Sequence, residues 1–225
     1  AVVTVASAAG LAASVATFNP LDLIKPVILS CALIAIAAFL DADASNLTRP
    51  AQLYATQAMI SFAAVYFLGP TVMNGILRAL VKGPSHLVSF SAVFGISQQL
   101  GGLAGASLLG SFQIMRERFH SEVLTQAIVP TDPQVATRLA QLGGAYARAV
   151  GDPLLRQAEG AVLEGQLVTR EANILAFNDV FLLVGALATV ACVYLLWRWS
   201  YYRWKGINPL ATELAALAAM KNRTA

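Results

Sequence analysis

The chain has 225 residues, of which 57% are hydrophobic and only 12% charged, against about 25% charged in an ordinary soluble domain. It reads as a membrane protein. A formal charge of +3 and a pI near 9.0 do not point to nucleic acid, because the lysines and arginines sit between apolar runs and no basic patch with interleaved aromatics occurs.

Five apolar stretches approach the roughly 20 residues needed to cross a bilayer core. They are expected near 1–17, 24–40, 51–77, 85–115 and 178–197. The first is alanine-rich and lacks the basic start of a secretory signal, so a truncated span is expected there. The last is the clearest, since Val180 to Trp197 holds no charge and ends at Arg198. Residues 1–115 therefore read as four transmembrane helices, 116–177 as an exterior helical loop, 178–200 as the last transmembrane helix and 201–225 as a tail. The class is all-α.

The loop is not a disordered linker. Thr131-Asp-Pro133 and Gly151-Asp-Pro153 each place a capping acid before a proline at the first helical position. Val135, Leu139 and Leu142, then Leu154, Leu155, Ala158 and Val162, recur at helical spacing. Two amphipathic helices forming a hairpin are expected, after an extension of the fourth span through Phe119 and Val123.

Alternating the connections between two sides separates the charges. One side collects Lys25, Lys82, Lys205, Lys221, Arg78, Arg198, Arg203 and Arg223 against Asp22 and Glu213, a net +6. The other holds seven arginines and ten acidic residues, a net −3. Basic residues concentrate on the cytoplasmic side of short connections, which puts the C-terminus inside and the long loop outside. Trp197, Trp199, Tyr201, Tyr202 and Trp204 form an interfacial belt where the last span leaves the bilayer.

The stretch from Gly83 to Met115 has no charge, yet carries Gln98, Gln99, Gly101, Gly102, Gly105 and Gly110. Each glycine costs about 1 kcal/mol of helix propensity relative to alanine. In lipid, helices associate through close approach at small residues and through interhelical hydrogen bonds. Gly101, Gly102 and Gly105 therefore read as packing positions. An unpaired amide in hydrocarbon costs several kcal/mol, so Gln98 and Gln99 bond either to a neighbouring helix or to a polar transport path. Gln57, with Ser61 one turn on, and Asn74 raise the same choice.

Asp41, Asp43 and Asp179 fall at the outer ends of spans and read as solvated end caps, and His86 and His120 as interfacial. No catalytic residue or metal ligand set is apparent. The free pair Cys31 and Cys192 fits small buried hydrophobes, and neither H-E-x-x-H nor G-x-S-x-G occurs. This disfavours an intramembrane enzyme.

The pattern His86-LVSFSAVFGISQQLGGLAGASL-Leu109, then Met115-RERFHSEV-Leu124 and Ala172-NILAFNDVFL-Leu183, resembles the C-terminal part of the EmrB/QacA-type drug:proton antiporters, fourteen-span members of the major facilitator superfamily. Their penultimate span is similar to SxxFxxxxQxGGxxGxxLL, and an element like Asn178-Asp179-Val180-Phe181 opens their last one. Phe67-LGPTVMNG-Ile76 is similar to the preceding helix. Relatives often carry a basic residue at the position of Gln98, and the family's N-terminal half is not in this chain.

The resemblance implies part of one helical bundle of a multidrug efflux antiporter in the inner (plasma) membrane. It would need no cofactor and would draw on the proton gradient. Its partners would be the bilayer, the missing N-terminal half, small hydrophobic substrates and, outside, a periplasmic adaptor protein. The spans at 51–77 and 85–115 would line the substrate path, with Gln57, Asn74, Gln98 and Gln99 as candidate substrate contacts. The alternative is a non-transporting membrane scaffold whose exterior hairpin binds a partner.

Overall fold

The computed structural model describes residues 1–19, 22–129, 131–208 and 210–224, with side chains for all of these except Pro84, Leu217 and 220–224. Lys221 and Arg223 of the charge tally lie outside the described side chains. Among the described residues the chain is all helical: α1 (Val2–Ala16), α2 (Ile24–Asp41), a 3₁₀ turn (Pro50–Leu53), α3 (Tyr54–Tyr66), α4 (Leu68–Lys82), α5 (Pro84–Gln126), α6 (Pro133–Gly144), α7 (Pro153–Lys205) and α8 (Ala211–Thr224). Four apolar stretches are long enough to cross a membrane, in Ile24–Asp41, Pro50–Lys82, Ser85–Gln126 and Pro153–Lys205.

The expected first span is not among them. Its helix has 15 residues, about 22 Å at 1.5 Å per residue, which is short of a hydrocarbon core of about 30 Å. The expected third span is interrupted at Phe67, between α3 and α4. Pro70 has no N–H to give the carbonyl of Tyr66, so the ladder breaks there.

The chain divides into two compact units. The first comprises Ala1–Asp41, Arg49–Ala106 and Phe181–Ala225. Here α1 packs on α3 through Gly10, where a Cβ would sit 2.5 Å from the Phe62 carbonyl oxygen. It meets α4 where Gly69 faces the buried Ser14, and Thr17 Oγ1 lies 2.9 Å from Tyr66 Oη. Gly83, with φ of 116°, turns the chain from α4 into α5, a backbone conformation that side-chain-bearing residues avoid. The Phe90 ring of α5 fills the space above Gly75 of α4.

The second unit comprises Ala42–Thr48 and Ser107–Val180. The side chain of Asp132 accepts from Gln134 N–H and that of Asp152 from Leu154 N–H, so both Asp-Pro pairs start helices as their chemistry dictates. α6 and the first turns of α7 form a close hairpin. A Cβ on Gly143 would lie 2.5 Å from the Arg156 carbonyl oxygen, and one on Gly160 the same distance from that of Leu139.

The second hairpin helix does not end before the last span. α7 runs unbroken for 53 residues, because no proline occurs between Pro153 and Pro209 and isolated glycines weaken a helix without ending it.

Candidate functional site

The first unit holds a cavity of about 510 Å³. The start of α2 contributes Ile24 and Val27, α4 contributes Asn74 and Arg78, and α7 contributes Leu195, Arg198, Trp199, Tyr202 and Arg203. The α7 residues follow i, i+3, i+4, i+7, i+8 spacing and so share one helix face. That spacing is readable in the sequence, where the same residues registered only as topology charges and an interfacial belt.

The guanidinium of Arg203 stacks 5.3 Å from the Trp199 ring centre, and that of Arg198 lies 5.2 Å from the Tyr202 ring centre while its Nε donates to Tyr202 Oη at 3.1 Å. Neither arginine pairs with a carboxylate among the described residues, whereas Arg78 lies 3.7 Å from Glu213. Asp22 lines the cavity and is itself paired with Lys25 at 2.6 Å. Asn74, one of the expected contacts, also lines it, and its Oδ1 is buried without a hydrogen-bond partner.

A second polar cluster closes the other end of α2. Asp41 is 1% exposed. Thr56 Oγ1 is 2.5 Å from its Oδ1, and Gln57 Nε2 donates to its Oδ2 at 2.8 Å. The expected solvated cap is therefore a buried carboxylate held by neutral donors. α3, which packs along α2, carries no charged residue, and α2 itself has only Lys25 at its far end. Thr56 Oγ1 also lies 3.0 Å from the Leu53 carbonyl oxygen, so its single proton has two acceptors within reach. Gln57 is thus committed to a neighbouring helix, and Ser61 bonds back to the Gln57 carbonyl of its own helix.

Gln98 and Gln99 sit on α5 without a hydrogen bond to any described residue, both exposed. No atom lies within 4 Å of where a Cβ would stand on Gly101, Gly102 or Gly105. Gln98, Gly101, Gly102 and Gly105 lie three, four and seven residues apart, so they share a face that meets no neighbour among the described residues. The structure brings Gln57 to Asp41 and Asn74 to the cavity, and it does not bring either to the α5 glutamines.

In the second unit Asp179 is likewise no simple end cap, and His120 is more than interfacial. Arg116 Nε and His120 Nε2, one turn apart on α5, both lie 2.6 Å from Asp179 Oδ2. Gln113 Nε2 donates to Asn173 Oδ1 at 2.9 Å one step along the same two helices. The segment Ala42–Thr48 after α2 is latched to α7 by Asn46 Nδ2 to Glu171 Oε1 at 2.7 Å and by Asn178 Nδ2 to the Ala44 carbonyl at 2.8 Å. Arg138 Nε pairs with the buried Glu164 at 2.9 Å, tying α6 to α7. These contacts are of the kind that hold a helical module in register.

No group of three or more His, Cys, Asp or Glu suited to a metal ion occurs among the described residues. Cys31 and Cys192 are free and half-buried. No protein-family model, curated protein or solved structure matches the chain.

Proposed function

We propose that this chain forms part of a secondary active transporter that exports hydrophobic or amphipathic compounds by proton-coupled alternating access. The observation that carries the reading is the open face of α5. Its most apolar stretch is long enough to cross a membrane and has no buried residue among those described, and Gln98 and Gln99 stand there with no hydrogen-bond partner among the described residues. Amides facing lipid cost several kcal/mol, so that face belongs against further protein or a wet path. In transporters, polar side chains at membrane depth collect along such paths. The resemblance to the EmrB/QacA-type antiporters supports the same choice, as does the net basic side for a cytoplasmic C-terminus.

The scaffold alternative places the function in the outer module and leaves the α5 glutamines idle. Dye export from cells producing the protein from its complete reading frame separates the two. Loss of export when the proton gradient is collapsed is expected, together with an altered compound profile for Gln98→Ala or Gln99→Ala at unchanged protein level. Export by both variants indistinguishable from the unaltered protein would remove the glutamines from the path, and no gradient-dependent export by the unaltered protein would end the reading.

A further inference from the structure

The cavity between α2, α4 and α7 combines features that a purely structural gap would not need. Arg198 and Arg203 line it with no ion-pair partner among the described residues, the one lining carboxylate, Asp22, being held by Lys25, and stacking on Tyr202 and Trp199 fixes their guanidinium planes while the N–H donors of Arg198 that its tyrosine neighbours do not take, and those of Arg203, remain available. Such forks match the geometry of a phosphate. Leu23, Ile24, Val27, Leu195, Ile207 and Leu210 make much of the remaining wall apolar, and it lies at the ends of helices long enough to span a membrane. A volume of about 510 Å³ suits a headgroup with the first part of its chains, since small-molecule sites run from about 300 to 1,000 Å³.

We infer that this cavity is a binding site for the headgroup of an anionic phospholipid, with Arg198 and Arg203 on the phosphate. The site is separate from the α5 face and does not depend on the transport reading. Phosphate is the recognised group, and a bilayer lipid is the source that also satisfies the apolar wall.

The test counts lipid bound to the purified protein in neutral detergent by native mass spectrometry, during titration with phosphatidylglycerol, phosphatidylcholine or inorganic phosphate. Phosphatidylglycerol is expected to bind in preference to phosphatidylcholine. The double variant Arg198→Gln/Arg203→Gln should lose about thirtyfold in apparent affinity, which corresponds to about 1 kcal/mol for each basic residue at a membrane surface and 1.4 kcal/mol per decade. Equal binding of the two lipids, or full affinity in the double variant, overturns the site. Competition by inorganic phosphate at lipid concentrations overturns the lipid as its occupant.

Discussion

Gly160 and Gly165 lie five residues apart in the same helix, and substituting each with alanine should have opposite effects. Both substitutions gain about 1 kcal/mol of helix propensity. A methyl on Gly165 meets nothing within 4 Å, whereas one on Gly160 would sit 2.5 Å from the Leu139 carbonyl oxygen and 2.9 Å from Gly143 N. Ordinary contact begins near 3.4 Å, so α6 would have to retreat by about 0.9 Å. The obstructing atoms are backbone and cannot rotate aside. The retreat would also disturb the Gly143 contact with Arg156 and the Arg138–Glu164 pair. Overpacking of this kind costs about 1–3 kcal/mol. Gly165→Ala should therefore stabilise the protein by about 1 kcal/mol, and the two variants should differ by about 1–3 kcal/mol because the propensity gain cancels between them. Thermal unfolding in detergent, with hydrogen exchange of amides 133–170 to localise the change, measures it. If Gly160→Ala stabilised as much as Gly165→Ala, the two helices would not approach at backbone distance and the hairpin packing would be refuted.

Two further outcomes follow from the polar and glycine faces. Asp41→Ala strips Gln57 Nε2 of its partner while Thr56 retains the Leu53 carbonyl, so a loss of about 1–3 kcal/mol is expected, with a smaller loss for Asp41→Asn. A melting temperature unchanged in the alanine variant would show that the carboxylate is not held as described. Gly101→Leu and Gly105→Leu should leave the melting temperature of the chain produced alone unchanged or raised, because nothing faces them. They should lower the level of the protein produced from its complete reading frame, and a normal level there would mean that these glycines face lipid.

What the sequence disclosed was the part written in local chemistry. The Asp-Pro pairs at 132–133 and 152–153 start helices by capping and by the fixed φ of proline, both settled within a few residues. The unbroken α7 was equally legible, since no proline interrupts it, yet the drop in polarity near 178 drew a boundary where only the environment changes. The expected stretch 1–17 and the helix Val2–Ala16 nearly coincide, and what its apolar composition concealed was that 15 residues at 1.5 Å each fall short of the bilayer core. Thr56 and Gln57 meet Asp41 from 15 and 16 positions away, a pairing no local pattern announces. The α7 face of the cavity was visible as spacing, but its significance depends on α2 and α4 bringing Ile24 and Asn74 to the same place.

The distribution of satisfied and unsatisfied polar groups then distinguishes the membrane-length helices from one another. α2 and α3 hold their ionisable and amide groups in mutual contact at Asp41, Thr56 and Gln57, so neither needs an outside partner at that depth. α5 shows the reverse arrangement, with two adjacent amides and three glycines left open. Successive residues on a helix point about 100° apart, so Gln98 shares the glycine face while Gln99 points to its flank. A neighbour that packs on the glycines brings its backbone within reach of Gln98, whereas Gln99 is left to the margin of that contact. The two glutamines are therefore expected to differ in kind, Gln98 acting on assembly and Gln99 on what passes beside it, and the comparison of protein level with export for the two alanine variants resolves that difference.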